Sequence, residues 1–355
     1  MSDKVTEASE PVFRLPPFTI EQVFTAMAET VDWGLQVLKV PDCWPLSRGK
    51  GVKVAVLDTG ATPGHPDLRD AIVAAKDFTG SPSGSADRQG HSTHCCGIIA
   101  ARQNNSGVVG VAPEASLYVG KVLGDNGSGT MSSIVNGIRW AISQNVDIIS
   151  MSLGSPQGSP SLEKAIEDAV AAGILVCCAA GNEGPDPNTV GFPAQYAGVI
   201  SIGSINRSMQ ISNFSSRGRR VDVAAPGEQI LSCFPPNRVA VLSGTSMATP
   251  FVAGVAAVLA GYDRSAVKDT AAFLALIKKF AYDAGPTGWD QSFGWGIIEP
   301  PGMLNEIKKR PTQPPPAGGD DTVTLIGDDL TSSGLAKVSN LLGGVFPGSV
   351  TLKKA

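Results

Sequence analysis

The sequence predicts an α/β fold: a parallel β-sheet with helices on both faces, followed by a small C-terminal β-α-β-like extension. Three observations predict it. Short runs recur that are apolar throughout, as strands covered on both faces must be. Helix-patterned segments of roughly 10–15 residues separate them, the rhythm of strand-helix-strand units. Polar turns such as Asp58-Thr59-Gly60 follow the runs, and open parallel sheets place their ligands beyond the carboxyl ends of the strands.

In chain order, residues 1–28 precede the alternation and form an N-terminal arm. It holds a proline-rich knot, Phe13-Arg14-Leu15-Pro16-Pro17-Phe18. Residues 52–57 are a continuous apolar strand that leads into Asp58. Residues 91–101 read as a helix, 117–123 as a strand, 131–144 as a helix and 147–151 as a strand. A helix at 161–172, a strand at 174–179 and a long apolar helix at 247–260 follow. Residues 29–308 make the main domain. Proline and glycine dominate 309–321, which reads as a linker. Residues 322–355 read strand (322–326), helix (333–342), strand (349–353). A unit that small buries little by itself, so it is expected to dock on something.

Of the 355 residues, 42% are hydrophobic, enough for a large core, and only 17% are charged, which argues against disorder. The net charge of -4, with no basic patch, argues against a nucleic-acid partner. No run of 18 apolar residues suggests a membrane span. The N-terminus lacks a basic stretch followed by an apolar one, which predicts a cytoplasmic chain. The six cysteines include the adjacent pairs Cys95-Cys96 and Cys177-Cys178. Neighbouring residues rarely make a disulfide of good geometry, so free buried thiols are expected.

Three segments carry chemistry. Asp58 closes an apolar strand, where an unpaired carboxylate would be costly and a histidine partner would resolve the cost. Gly90-His91-Ser92-Thr93-His94 supplies two of the three histidines; the third is His65. Ser246, in Gly244-Thr245-Ser246-Met247-Ala248-Thr249-Pro250, opens an apolar helix, so its backbone N–H is left without a partner. Pro250 is expected near the first turn, where a missing donor costs least. A serine hydroxyl becomes a nucleophile only with a base beside it, itself held by a third group, and one of the three histidines must be that base. Each segment also has an ordinary reading: an Asx-turn at Asp58, a packed histidine, a helix cap at Ser246.

Read together, these segments resemble the subtilisin family of serine endopeptidases, whose triad runs Asp, His, Ser along the chain. The resemblance covers roughly residues 30–305. It implies a three-layer sandwich and hydrolysis of extended polypeptides through an acyl-enzyme. Asp58, His91 and Ser246 would be the triad, with His94 structural. Cys178-Ala179-Ala180-Gly181-Asn182-Glu183-Gly184 matches the family's oxyanion segment, so the Asn182 amide and the Ser246 N–H would be the donors. Gly127, Ser128 and Gly129 match one substrate edge; Ser152, Leu153 and Gly154 match the other. The latter, with Ala179, Ala180 and Gly181, would wall a roomy pocket for large apolar side chains. Ser92 stands where the family has glycine. Cys95 resembles the branch with a thiol beneath the catalytic histidine, so modifying it should displace His91.

The resemblance also implies structural calcium, which takes oxygen ligands. Asp67, the Asn104 side chain and the carbonyls of Arg102, Ser106 and Val108 match the ligand set, with Glu29 in place of a customary glutamine. Leu15-Pro16-Pro17-Phe18 resembles the knot of intracellular subtilisins. There the arm lies across the cleft as an intramolecular inhibitor, so the chain would be a zymogen cut near Phe18. A homodimer is left open. Two rival readings are an inactive scaffold of the same fold and a metal-binding module formed by His91, His94, Cys95 and Cys96. Adjacent cysteines suit tetrahedral zinc poorly.

Overall fold

The computed structural model describes residues 11–25 and 28–309, and the backbone of 323–326 and 350–353. The chain divides into two compact units, Met1–Ile307 and Lys308–Ala355. In the first, the elements in chain order are β1 (Val12–Arg14), β2 (Thr19–Phe24), α1 (Trp33–Val37), β3 (Lys53–Asp58), β4 (Ile72–Asp77), α2 (His91–Ala100), β5 (Ser116–Lys121), β6 (Ser128–Thr130) and α3 (Met131–Ser143). They continue with β7 (Ile148–Met151), α4 (Pro160–Ala171), β8 (Leu175–Ala179), β9 (Val199–Ile205), β10 (Val223–Pro226), β11 (Ile230–Phe234), β12 (Arg238–Ser243), α5 (Thr245–Tyr262) and α6 (Thr270–Phe280). Helix α7 (Pro300–Lys309) follows. In the second unit, β13 (Val323–Ile326) and β14 (Val350–Lys353) pair in parallel. The expected helix at 333–342 and residues 310–321 of the expected linker lie outside the described residues.

Seven strands make one parallel sheet in the order β10-β9-β8-β7-β3-β5-β4. Successive side chains of a strand point to opposite faces, and here each face has its own core. Val54 and Val56 of β3 enter a cluster that includes Cys95 of α2, Val252 of α5 and Phe273 of α6. Ala55 and Leu57 enter the other, with Ile134 and Ile138 of α3 and Leu162 and Ile166 of α4. Both faces are therefore covered, and the apolar runs of the sequence reflect that. Helix α5 is long and apolar enough to cross a membrane, yet 89% of it is buried: it is a core helix.

Two small sheets involve the arm. Strand β1 pairs antiparallel with β6. Strand β2 adds to the β11–β12 hairpin as a third, antiparallel strand.

Helix starts follow from local chemistry. Thr130 caps α3 by accepting from Ser133 N–H, and Ser159 caps α4 by accepting from Leu162 N–H, with Pro160 in the first turn. Gly90 precedes α2 at φ 82°, and a Cβ there would meet the Phe234 ring at 2.3 Å. Only glycine allows that turn, which delivers His91 to the helix start.

His94, one turn along α2, faces away from Asp58. Its Nε2 lies 3.1 Å and 3.0 Å from the carbonyls of Ile230 and Ala240, tying α2 to the β11–β12 hairpin. Burial holds its pKa down to about 3, from an ordinary 6.5. Between those values the unfolded chain binds the extra proton. The stability contribution is thus fully present above pH 6.5 and is lost as pH falls toward 3. The expected slope from this one group is about 1.4 kcal/mol per pH unit. Urea unfolding midpoints at several pH values across that window should show a shallower slope for His94→Gln. Parallel slopes in the two proteins would assign the acid sensitivity elsewhere.

Candidate active site

The carboxyl ends of the central strands meet the starts of α2 and α5. Asp58 is the last residue of β3 and is fully buried. Its two oxygens lie 2.9 Å and 3.0 Å from His91 Nδ1, and its Oδ1 also accepts from Thr59 N–H at 2.7 Å. That arrangement fixes the imidazole so that Nε2 faces the site. Among the described residues Nε2 has no hydrogen-bond partner.

Ser246 is the second residue of α5. Its helix has no side-chain cap of its own. Thr245 N–H and Oγ1 donate instead to Asn182 Oδ1, at 2.9 Å and 2.8 Å. The Ser246 N–H makes no hydrogen bond among the described residues, so the positive end of α5 opens on the site with a donor to spare. Pro250 is the sixth residue of α5, not a first-turn residue as the sequence suggested. It therefore removes a hydrogen bond from the helix ladder, and the orphaned acceptor is the Ser246 carbonyl. Two side chains from elsewhere satisfy that carbonyl: Ser152 Oγ at 2.9 Å and Cys95 Sγ at 3.4 Å.

Ser246 Oγ does not bond His91. It lies 3.5 Å from the Ser152 carbonyl. Residues of the arm occupy the space in front. The Phe18 ring packs on His91, with centroids 4.8 Å apart, and Asn182 Nδ2 donates to the Pro17 carbonyl at 2.7 Å.

The expected edges are both engaged by the arm. Leu15 N–H donates to Gly127 O at 3.2 Å, while Phe13 and Arg14 stand in register with Gly129 and Ser128. Opposite, Arg14 and Gly154 exchange hydrogen bonds of 3.0 Å and 2.9 Å. The Ser152 and Leu153 side chains are buried, so on that edge the backbone of Gly154 makes the contact. A cavity of about 800 Å³ lies beside Ala179, Ala180 and Gly181. Its lining adds Gln157, Glu183, Val190 and Gln195, which sequence reasoning missed. Of these only Glu183 lay in a recognised motif; the loop at 188–195 reaches the pocket through the fold alone.

A second cluster surrounds Asp67. Its Oδ1 accepts from Asn104 Nδ2 at 2.9 Å and its Oδ2 from Val108 N–H at 3.1 Å. Glu29 Oε2 accepts from the N–H groups of Asn104 and Asn105, at 2.8 Å and 3.0 Å. Among the described residues no donor reaches the carbonyls of Arg102, Ser106 or Val108. Gly107, at φ 65°, leaves room that a Cβ would take, 2.0 Å from Asp67 Oδ2. Carboxylates and free carbonyls, joined by the Asn104 amide once its oxygen turns inward from Ser106 N–H, give an oxygen-donor set that fits a hard cation such as calcium.

All six cysteines are free and buried. Cys95 Sγ is 4.0 Å from His91 Nδ1. Burial raises its pKa well above the ordinary value, so it stays a protonated, shielded thiol. His91, His94, Cys95 and Cys96 do not converge. The two histidines turn to different partners, and among the described residues the clusters that bring His, Cys and acidic ligand atoms together are Asp58-His91-Cys95 and His65-Asp67-Cys233. In the second, His65 Nε2 is taken up by the Arg238 carbonyl and Nδ1 by the Asp67 N–H. The metal-module reading is set aside on that geometry.

Residues 49–296 match the model of the subtilase family, peptidase S8. This chain belongs to the subtilase family. It is a serine endopeptidase. Among similar curated proteins is the major intracellular serine protease of Bacillus subtilis (strain 168), 43% identical over 279 residues, or 75% of this chain and 87% of the relative. An intracellular serine protease of Paenibacillus polymyxa is 51% identical over 233 residues, 64% of this chain and 72% of the relative. Subtilisin E of Bacillus subtilis (strain 168) is 47% identical over 236 residues, 65% of this chain and 61% of the relative. The parallel sheet with helices on both faces agrees with the fold expected for this subtilase.

Proposed function

We propose that this chain cleaves extended polypeptides with Asp58, His91 and Ser246 as its triad and Asn182 in its oxyanion hole. The observation that carries the reading is the position of the Pro17 carbonyl. It receives the Asn182 amide at 2.7 Å while the flanking arm residues lie extended on Gly127–Gly129 and Gly154. A substrate strand laid the same way, by backbone pairing with the exposed edges, puts its scissile carbonyl at that point.

The steps follow. Ser246 Oγ turns from the Ser152 carbonyl to His91 Nε2, which takes its proton and returns it to the leaving amine. Asp58 holds the imidazole and stabilises its cation. As the carbonyl oxygen gains charge, Asn182 Nδ2 and Ser246 N–H donate to it. Water then hydrolyses the ester by the same route. The test is to replace Asn182 by Ala, which leaves the triad in place. kcat is expected to fall by about 10²–10³-fold, a scale measured on a subtilisin and so the family's own. Unchanged kcat would remove Asn182 from the mechanism.

Residues 1–28 act as an intramolecular inhibitor. Three features support this: the arm's strands on both sides of the site, Phe18 against His91, and paired prolines at the crossing. Proline has no N–H to pair and a fixed φ, so the arm binds like a substrate while resisting attack. Work inside the cell suits such a restraint, and two relatives bear the word intracellular in their names.

Calcium would be held by Asp67, Asn104, Glu29 and the carbonyls of Arg102, Ser106 and Val108. When bound it would cross-link the loop after α2 to Asp67 and to the base of the arm. A ligand that binds only the folded chain stabilises it by mass action. Chelation should therefore lower the melting temperature, and Asp67→Ala should melt alike with and without calcium. Equal melting of the wild-type chain in calcium and in chelator would remove the site.

A further inference from the structure

Lys121 ends β5 and stands opposite Asp58 in the β3–β5 register. Its side chain has no exposed surface. A buried ammonium is costly unless every proton is taken. Here three acceptors take three protons: the Thr59 carbonyl at 2.6 Å, the Ala86 carbonyl at 3.0 Å and Asp125 Oδ1 at 2.9 Å.

Each acceptor belongs to a different turn. Thr59 directly follows Asp58. Ala86 precedes Asp87, whose Oδ1 accepts from Thr59 Oγ1 and from the N–H of Gln89 and Gly90. Asp87 Oδ2 accepts from Thr93 N–H and Oγ1, and Thr59 Oγ1 accepts in turn from Ser92 N–H. Those bonds fix the first turn of α2 on either side of His91. Asp125 is itself pinned by Ser83 Oγ at 2.6 Å. One ammonium thus grips the turn behind Asp58 and the turn that launches His91. An apolar side chain in its place would leave the Thr59 and Ala86 carbonyls and the Asp125 carboxylate without that donor, so the positions of all three turns depend on this one charge.

We propose that Lys121 is a positioning residue for the Asp58–His91 pair, setting their separation through the carbonyls of Thr59 and Ala86. It touches neither substrate nor the reacting atoms. The proposal rests on reading Asp58, His91 and Ser246 as the triad.

The test is the rate of covalent inactivation of the full-length chain by a small fluorophosphonate, which reports the reactivity of the serine with little need of the substrate edges. Misplacing a reacting group by 1 Å can cost about 10²-fold. Lys121→Met is expected to slow inactivation by at least about tenfold. Lys121→Arg, which can still donate to both carbonyls, should recover a good part of that loss. Asp125→Asn, at the partly exposed end of the grip, should slow inactivation by about threefold. Ser246→Ala, run alongside, must not react at all; if it does, the triad reading fails and not merely this one. With Ser246→Ala silent, a folded Lys121→Met that reacts at the wild-type rate overturns the proposal. So does a Lys121→Arg no faster than Lys121→Met. If Lys121→Met does not fold, Asp125→Asn decides, and a wild-type rate there overturns it.

Discussion

Ser246→Ala is expected to lower kcat/KM on a chromogenic peptide by about 10⁴-fold or more while leaving the fold intact. The activity loss is the scale for deleting one member of a triad, set by serine proteases that include a subtilisin. His91→Ala should lose about as much, and the double variant should lose little more, because the members act as a unit. The small effect on stability follows from the contacts. Ser246 Oγ makes one long approach, 3.5 Å to the Ser152 carbonyl, while the bonds that secure this turn run through its backbone carbonyl and through Thr245. Deleting the hydroxyl should change unfolding free energy by no more than about 1 kcal/mol, the net worth of one hydrogen bond. Retained turnover in Ser246→Ala, with the protein folded, would rule out the nucleophile.

Removing residues 1–18 is the second large effect expected. Among the described residues, and besides the β1–β6 pairing, the contacts this segment makes at the cleft are the Arg14–Gly154 pair, the bond from Leu15 to Gly127, the bond from Asn182 to Pro17, and the Phe18 ring on His91. At about 1 kcal/mol net for each hydrogen bond, four such bonds hold the closed form by about 4 kcal/mol, or roughly 10³-fold in population. Displacing them should raise kcat/KM on a small peptide by between about tenfold and a thousandfold, compared at equal active-site titre. Replacing Pro16 and Pro17 by Ala restores two backbone donors and frees φ, so the arm should then be cut as a substrate. Equal kcat/KM for full-length and truncated chains would mean that the arm is no inhibitor.

How much of this was legible in the sequence depends on how local each feature is. Asp58, His91, Asn182 and Ser246 sit where a strand ends or a helix begins, and short motifs carry such positions. The apolar runs marked the sheet because its strands alternate between two cores rather than between core and water. Pro250 was misplaced for the same reason that it matters. Its missing donor is made good by Ser152 and Cys95, which are remote in sequence. Lys121 falls inside the strand expected at 117–123 with no motif to single it out, and only the three turns that converge on it show its setting. The pocket residues Gln157, Val190 and Gln195 come from loops with no motif at all. The pairing of β2 with β12 joins residues more than two hundred positions apart, beyond what periodicity can reveal.

The most direct measurement is the intact mass and peptide map of the folded chain after reaction with a fluorophosphonate. A triad at Asp58, His91 and Ser246 predicts one adduct, located on Ser246, absent from Ser246→Ala and appearing in step with the loss of peptidase activity. Full activity after exhaustive treatment, or a stoichiometric adduct on another residue, would contradict it.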